Sequence, residues 1–259
     1  MKVIILCGGK GTRLREETEF KPKPMVKIGN IPILLHIMNH YAYYGHKEFI
    51  LCLGYKSEMI KEYFLNLSKF NDDFEMDLSN GHMTCLKKCV NYDYKIIFAE
   101  TGENTLTAER LMMVSEYLDD SLFMVTYGDG VSDINIKNLI AFHKQQEKKF
   151  KTQVTISAVH PSSKYGKIQA NKNNVIEKFS EKPVLQDYIN GGFMVLNKKA
   201  MSYLRKEEMF EETLIRITKA RKLSQFKHNG FWHSMDTIKD VEDLNNLWAK
   251  GKPWAIWEK

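Results

Sequence analysis

Val3-Ile4-Ile5-Leu6-Cys7-Gly8-Gly9-Lys10-Gly11-Thr12-Arg13 is the stretch that decides the fold. Val3 to Leu6 is apolar without alternation, the pattern of a strand covered on both faces and therefore of a parallel sheet flanked by helices. Three glycines and two cations follow within seven residues. A glycine-rich turn after a buried strand brings bare backbone amides close to a phosphate. The same composition serves a chain that merely reverses, and the loop alone leaves both readings open. Its glycine spacing is not Gly-x-Gly-x-x-Gly, and the Gly-Lys-Ser/Thr ending of a P-loop is absent.

Outward from this stretch, strands and helices alternate. The apolar spacing of Leu34, Ile37, Met38 and Tyr41 predicts a helix over 33–44, ended by Gly45. Strands are expected at 49–53, 95–99, 122–126 and 153–159, with helices at 57–65 (capped by Ser57), 105–117 and 134–146 between them. This order implies a single Rossmann-like, doubly wound, mainly parallel α/β sheet. The second half is more elaborate. A β-hairpin is expected over 165–179 with Asn173-Asn174 at its tip, then a strand at 191–196 and helices at 199–204, 211–221 and 239–248. With no linker, repeat or low-complexity segment, residues 1–259 are expected to form one domain.

Composition narrows the function classes. The 259 residues are 43% apolar and 27% charged, the balance of a globular protein with a real core. No apolar run approaches the roughly 18 residues of a membrane span, and Gly8-Gly9-Lys10 ends the first apolar run too early for a signal peptide. The net charge of +6 is spread over scattered lysines, and the cluster at Lys148, Lys149 and Lys151 reads as a solvated helix end; no nucleic-acid partner is expected. The charge suits an enzyme acting on anionic small molecules. Cys7 and Cys52 read as small buried hydrophobes. Cys85 and Cys89 lack further ligands at a familiar spacing from His46 or His82, so reduced thiols in a cytoplasmic protein are expected.

In an open parallel sheet, ligands bind beyond the carboxyl ends of the strands. Three polar clusters are expected there: Gly8 to Arg13, Thr101 to Asn104, and Gly128-Asp129-Gly130. Thr12 and Arg13 offer a hydroxyl and a planar cation to phosphate oxygens. Lys21-Pro22-Lys23-Pro24 holds two more cations in a segment stiffened by proline. Asp129 follows an apolar strand and is flanked by glycines. Its hard oxygens suit Mg2+, which takes one or two carboxylates plus phosphates and water; an Asx turn is the other reading. Asp236 is a second isolated carboxylate, read alternatively as the N-cap of the last helix.

These motifs carry a resemblance. GGKGTRL followed by KPKPMVKIG is similar to the start of the sugar-1-phosphate nucleotidylyltransferases. The likeness continues through HIMNHYAYYG, TGENTLTAERL, YGDGVSDI, FSEKP, INGGFMVL and GFWHSMDT, over essentially the whole chain. The last motifs most resemble the branch that joins CTP to glucose 1-phosphate and releases pyrophosphate. The resemblance implies the nucleotide-diphospho-sugar transferase type of fold, with a nucleotide-binding half over 1–135 and a sugar-phosphate half over 136–259. Leu6, Gly8, Gly9, Gly11, Thr12 and Arg13 would wrap the nucleotide, and Gly102, Asn104, Thr107, Arg110 and Gly128 would complete its site. Arg13 and Lys23 would neutralise phosphate charge during transfer. Tyr127, Glu181, Lys182, Asn190 and Gly191 would hold the sugar phosphate, and Asp129 and Asp236 would hold Mg2+. A homo-oligomer is implied too. The chain departs from the branch at Ala108-Glu109, where a Gly-Gly pair is usual, and in FEETLIRI, which lacks a proline.

The chemistry such a family performs needs these residue types. Attack of one phosphate on another brings two anions together, so the barrier is repulsion and alignment, which cations and amides address. A phosphate monoester is largely ionised at neutral pH, its second pKa being about 6, so no general base is required. Three functions stay open on the sequence: cytidylyl transfer to glucose 1-phosphate, the same chemistry with another base or sugar, and a non-catalytic nucleotide-binding homologue.

Overall fold

A computed structural model describes residues 1–88, 92–163 and 165–258, so Cys89 lies outside the described residues. Among them, strands β1 (Val3–Leu6), β2 (Glu48–Leu53), β3 (Lys95–Glu100), β4 (Leu122–Tyr127), β6 (Val154–Val159), β7 (Ile189–Asn197) and β8 (Leu223–His228) form a seven-stranded sheet in the order β8-β6-β7-β4-β1-β2-β3. A separate two-stranded ribbon pairs β5 (Gly130–Ser132) with β9 (Trp232–Ser234). The principal helices are α1 (Ile33–Tyr43), α2 (Ser57–Leu65), α3 (Thr107–Met113), α4 (Ile136–Phe150), α5 (Phe210–Lys219) and α6 (Ile238–Lys250).

The expected parallel, doubly wound sheet is present, with β1 parallel to β2 on one side and to β4 on the other. The chain winds outward through β2 and β3, then crosses to β4, so the winding reverses at β1. At such a switch point the connections leave in opposite directions and open a crevice at the carboxyl ends of the strands. β7 alone runs antiparallel to both its neighbours, β6 and β4. That reversal matters for the site. It brings the amino end of β7, Asn190-Gly191-Gly192, to the same rim as the carboxyl ends of β1 and β4.

Alternate residues of each central strand feed opposite layers. Val3, Ile5, Leu51, Met124 and Phe193 pack with α1, α4 and α6, whereas Ile4, Leu6, Ile50, Phe123 and Val125 pack with α3 and α5. Both faces are thereby covered, as the unbroken apolar run Val3 to Leu6 requires. No helix among the described residues is long and apolar enough to cross a membrane.

Several local expectations are corrected. Ser57 does not cap α2. Lys56 occupies the cap position with φ 50° and no side-chain hydrogen bond, and the Ser57 side chain bonds Glu100 instead. The helix expected over 105–117 divides into α3 and a 3-10 turn at Ser115–Tyr117. The hairpin expected over 165–179 forms from Lys167–Ala170 and Ile176–Ser180, with Asn174 left-handed at φ 61° in the turn. The late aromatics form a packed core. Trp254 is 1% exposed, stacks on Phe231 at 5.5 Å and donates from Nε1 to His36 Nδ1 at 3.3 Å. His36 in turn donates from Nε2 to the Ile28 carbonyl, and burial pushes its pKa down to about 4. Trp254→Ala is expected to lower unfolding stability by roughly 3–5 kcal/mol, as truncation of a large buried aromatic does, seen as a lower urea midpoint at unchanged slope.

Candidate active site

The crevice at the switch point is a cavity of about 710 Å³. Leu6, Gly8, Gly9, Gly11 and Arg13 line one wall, Asn104, Thr107 and Arg110 a second, and Tyr127, Gly128, Asp129, Asn190, Gly191 and Asp236 a third. Three clusters that are far apart in sequence thus share one space. Thr12 and Gly102 belong to the same loops but stand outside the lining, and both are exposed. Glu181 and Lys182 stay with the exposed hairpin, beyond the cavity wall.

The glycine loop is shaped by what lies beneath it. A Cβ at Gly8 would overlap the Arg110 guanidinium, so the loop can settle on that arginine only as glycine. Arg110 is 2% exposed and has no carboxylate within ion-pair distance among the described residues. Its Nη1 donates to the Leu53 carbonyl (2.9 Å) and Thr101 Oγ1 (2.6 Å), and its Nη2 to the carbonyls of Gly8 (3.1 Å) and Glu103 (3.3 Å). One side chain therefore ties together the ends of three parallel strands. Farther on, the loop closes into a 3-10 turn, Thr12–Leu14, whose buried Leu14 anchors it and leaves Arg13 outward.

Lys23 stands at the centre of the charged end. Pro22 and Pro24 hold it in a 3-10 turn, Lys23–Met25, where it is 8% exposed. Its Nζ donates to Asp129 Oδ2 at 2.6 Å and to Asp236 Oδ1 at 2.9 Å. Arg13 Nη2 lies 3.1 Å from the same Asp236 oxygen. Burial works against the Lys23 charge, but the two carboxylates outweigh it and hold the ammonium above its ordinary pKa. For Asp236, burial raises the pKa, while Lys23 and then Arg13 pull it below the usual carboxylate range.

The N-cap reading of Asp236 does not hold. Thr237 caps α6, accepting from Asp240 N, and Asp240 answers in a capping box. Asp240 Oδ2 also accepts the Asp236 backbone N–H at 2.9 Å, so the cap fixes the Asp236 main chain and leaves its carboxylate to the cations. No group of three or more His, Cys, Asp or Glu among the described residues makes a protein-only metal cage. Two carboxylates meeting on one cation fit Mg2+ nonetheless, because that ion completes its shell with phosphate and water oxygens.

Glu211, Trp232 and Lys10 also line the cavity, with no role assigned to them from the sequence. Tyr127 donates its hydroxyl to Glu211 Oε1 at 2.6 Å; burial and then Glu211 push the phenol pKa up, which keeps the proton in place. Trp232 Nε1 donates to the Gly191 carbonyl at 2.7 Å and fixes the turn beside the sheet rim. Lys10 faces Glu103 across the mouth at 3.2 Å. Trp232 lies within the GFWHSMDT motif and Glu211 in the FEETLIRI helix, where nothing in the local sequence marks either as a cavity residue. Ala108-Glu109 contributes no side chain to the lining. Ala108 is fully buried, and Glu109 accepts the backbone N–H of Glu207.

A family model described as "Nucleotidyl transferase" matches residues 2–251. The chain belongs to the nucleotidyl transferase family. A Salmonella typhimurium (strain LT2) protein named glucose-1-phosphate cytidylyltransferase is 42% identical over all of both chains. A Bacillus subtilis (strain 168) protein named probable glucose-1-phosphate cytidylyltransferase is 41% identical over 99% of this chain and 100% of its own. Among solved structures, HddC from Yersinia pseudotuberculosis, complexed with GMP-PN, shares the fold with a TM-score of 0.65 at 23% identity, over 95% of this chain and 99% of that one. For this nucleotidyltransferase the ion pairs predict a pH dependence. Asp236 titrates lower folded than unfolded, so its contribution is present above about pH 4 and is lost as pH falls through the depressed value. Asp236→Asn is expected to flatten that acid limb, measured as urea midpoints between about pH 6 and pH 3.

Proposed function

We propose that the protein transfers a cytidylyl group from CTP to α-D-glucose 1-phosphate, giving CDP-glucose and pyrophosphate. The observation that carries the chemistry is the nearly buried Lys23 ammonium between Asp129 and Asp236, beside a glycine loop that ends in Arg13. The full-length relatives named for glucose 1-phosphate and cytidylyl transfer support the choice of substrates.

On this reading the triphosphate lies along the Gly8 to Gly11 backbone, with the base towards Asn104 and Thr107 and the sugar phosphate towards Tyr127, Asn190 and Gly191. A sugar-phosphate oxygen forms a bond to the α-phosphorus as the bond to the bridging β-phosphate oxygen breaks, and pyrophosphate leaves with that electron pair. Lys23 and Arg13 lower the repulsion between the two anions, and the fixed loop holds attacker and leaving group in line. Asp129 and Asp236 would hold Mg2+, which would supply further charge neutralisation to the reacting phosphates. No protein nucleophile takes part. Tyr127 gives its one hydroxyl proton to Glu211, which fixes the ring at the sugar end and leaves the phenol oxygen there as an acceptor. The same reading makes the protein a cytoplasmic homo-oligomer, a size that light scattering measures.

Incubating the purified protein with glucose 1-phosphate, Mg2+ and each of the four NTPs tests this directly. Pyrophosphate release with CTP alone is expected. Release with another NTP, or only with another sugar 1-phosphate, overturns the substrates but keeps the chemistry, and no release with any overturns both. Lys23→Ala and Asp129→Asn are each expected to lower kcat by roughly 10²–10³-fold, the scale for losing one preorganised charge partner. Circular dichroism of both variants should match the parent.

A further inference from the structure

Asp129 and Asp236 hang on a very short piece of structure. Asp129 immediately precedes β5, and Asp236 lies two residues beyond β9. The ribbon aligns Ser234 with Gly130, His233 with Val131 and Trp232 with Ser132, and Met235 N donates to the Asp129 carbonyl at 2.8 Å. Three residues per strand make a ribbon that is marginal by itself in water. Its register must be held from outside.

The hold lies at the far end. His228, the last residue of β8, is fixed in the main sheet opposite Val159. Its Nε2 stands 2.9 Å from Asp133 Oδ1, 3.2 Å from Ser132 Oγ and 3.2 Å from the Phe231 carbonyl. Ser132 gives its own proton to the Phe231 carbonyl at 2.7 Å, so three oxygens face Nε2 and the ring proton resides there. Asp133 Oδ1 is shut off from solvent and accepts no well-aligned hydrogen bond, so its 2.9 Å approach to Nε2 is an electrostatic contact while the ring N–H is directed at Ser132 Oγ and the Phe231 carbonyl. A Cβ at Gly230 would strike both Asp133 and His228, so the chain between β8 and β9 is drawn tightly over the pair. None of His228, Asp133 or Ser132 lines the cavity.

We propose that His228 and Asp133 form a positioning clasp that sets the spacing of Asp129 and Asp236 through the β5–β9 ribbon. Neither residue touches substrate. The proposal rests on the reading of Asp129 and Asp236 as the cation-holding pair. The clasp acts through the ribbon without touching either carboxylate, and a partner bonded directly to a ligand is worth about 10–100-fold in metal affinity, so the low end of that range is the expected cost of losing it.

Mn2+ alone, followed by water-proton relaxation, is the probe, applied to the full chain. His228→Leu is expected to weaken Mn2+ binding about tenfold and to lower kcat while KM for glucose 1-phosphate holds. His228→Gln, which keeps an N–H donor near Nε2, should recover most of the loss. Asp133→Asn should weaken binding alone and add little on top of His228→Leu, the non-additivity of one shared contact. If His228→Leu fails to fold, His228→Gln and Asp133→Asn carry the test. Unchanged Mn2+ binding in a cooperatively melting His228→Leu or Asp133→Asn overturns the clasp. So does a loss that His228→Gln leaves unrelieved. Asp129→Asn and Asp236→Asn separate the two levels. If they weaken Mn2+ binding and the clasp variants do not, the clasp alone fails; if they leave it intact, the cation reading fails first.

Discussion

A single ammonium organises this molecule's working end. Lys23 is nearly buried, yet it is shared by carboxylates 106 and 213 residues further along the chain. Taking three charges out of water costs several kcal/mol per ion, and an apolar cluster of similar volume would serve stability as well or better. A triad of this kind is therefore poorly explained as a fold-stabilising device. It concentrates charge in the crevice, where Lys23, Arg13, Asp129 and Asp236 meet at one end, the arrangement on which the proposed transfer between phosphates rests.

The sheet explains why that triad can form at all. Parallel strands collect their carboxyl ends on one rim, and reversal of the winding at β1 opens a gap there instead of a continuous wall of crossovers. β1 supplies the glycine loop and β4 supplies Asp129. The antiparallel β7 adds a turn from its opposite end, and the β5–β9 ribbon returns Asp236 from beyond the last sheet strand. Arg110 performs the corresponding task beneath the loop, with neutral acceptors from three strand ends in place of a counter-ion. Among the described residues no carboxylate pairs with Arg110, so its positive charge is retained at that wall of the crevice.

Much of this was legible beforehand. Val3 to Leu6 announced a doubly covered strand because only burial on both faces tolerates an unbroken apolar run. Gly8 to Arg13 and Asp129 stood out as candidates because small, flexible residues lie beside a charge at a strand end, although a chain reversal and an Asx turn remained open there. Other features were hidden for equally physical reasons. Asp236, singled out as an isolated carboxylate, kept a helix cap as its second reading because a carboxylate just before a helix often is one, and Thr237 with Asp240 does that work here. Ser57 looked like a cap on the same grounds, but Glu100 on the neighbouring strand competed for its hydroxyl. Glu211 carried no local mark, since its partner Tyr127 is 84 residues away.

By itself the sequence determined which segments are buried on two faces, which turns are left bare enough to approach an anion, and which charges those turns carry. These follow from side-chain hydrophobicity and backbone freedom, properties that belong to each residue and its near neighbours. Only the tertiary structure decided that Lys23 would lie between Asp129 and Asp236, that Arg110 would brace three strand ends, that β7 would run backwards, and that Glu181 and Lys182 would stand away from the cavity. Those outcomes depend on distances between residues far apart in the chain. The order and direction of strands in the sheet set those distances, and local composition does not encode them.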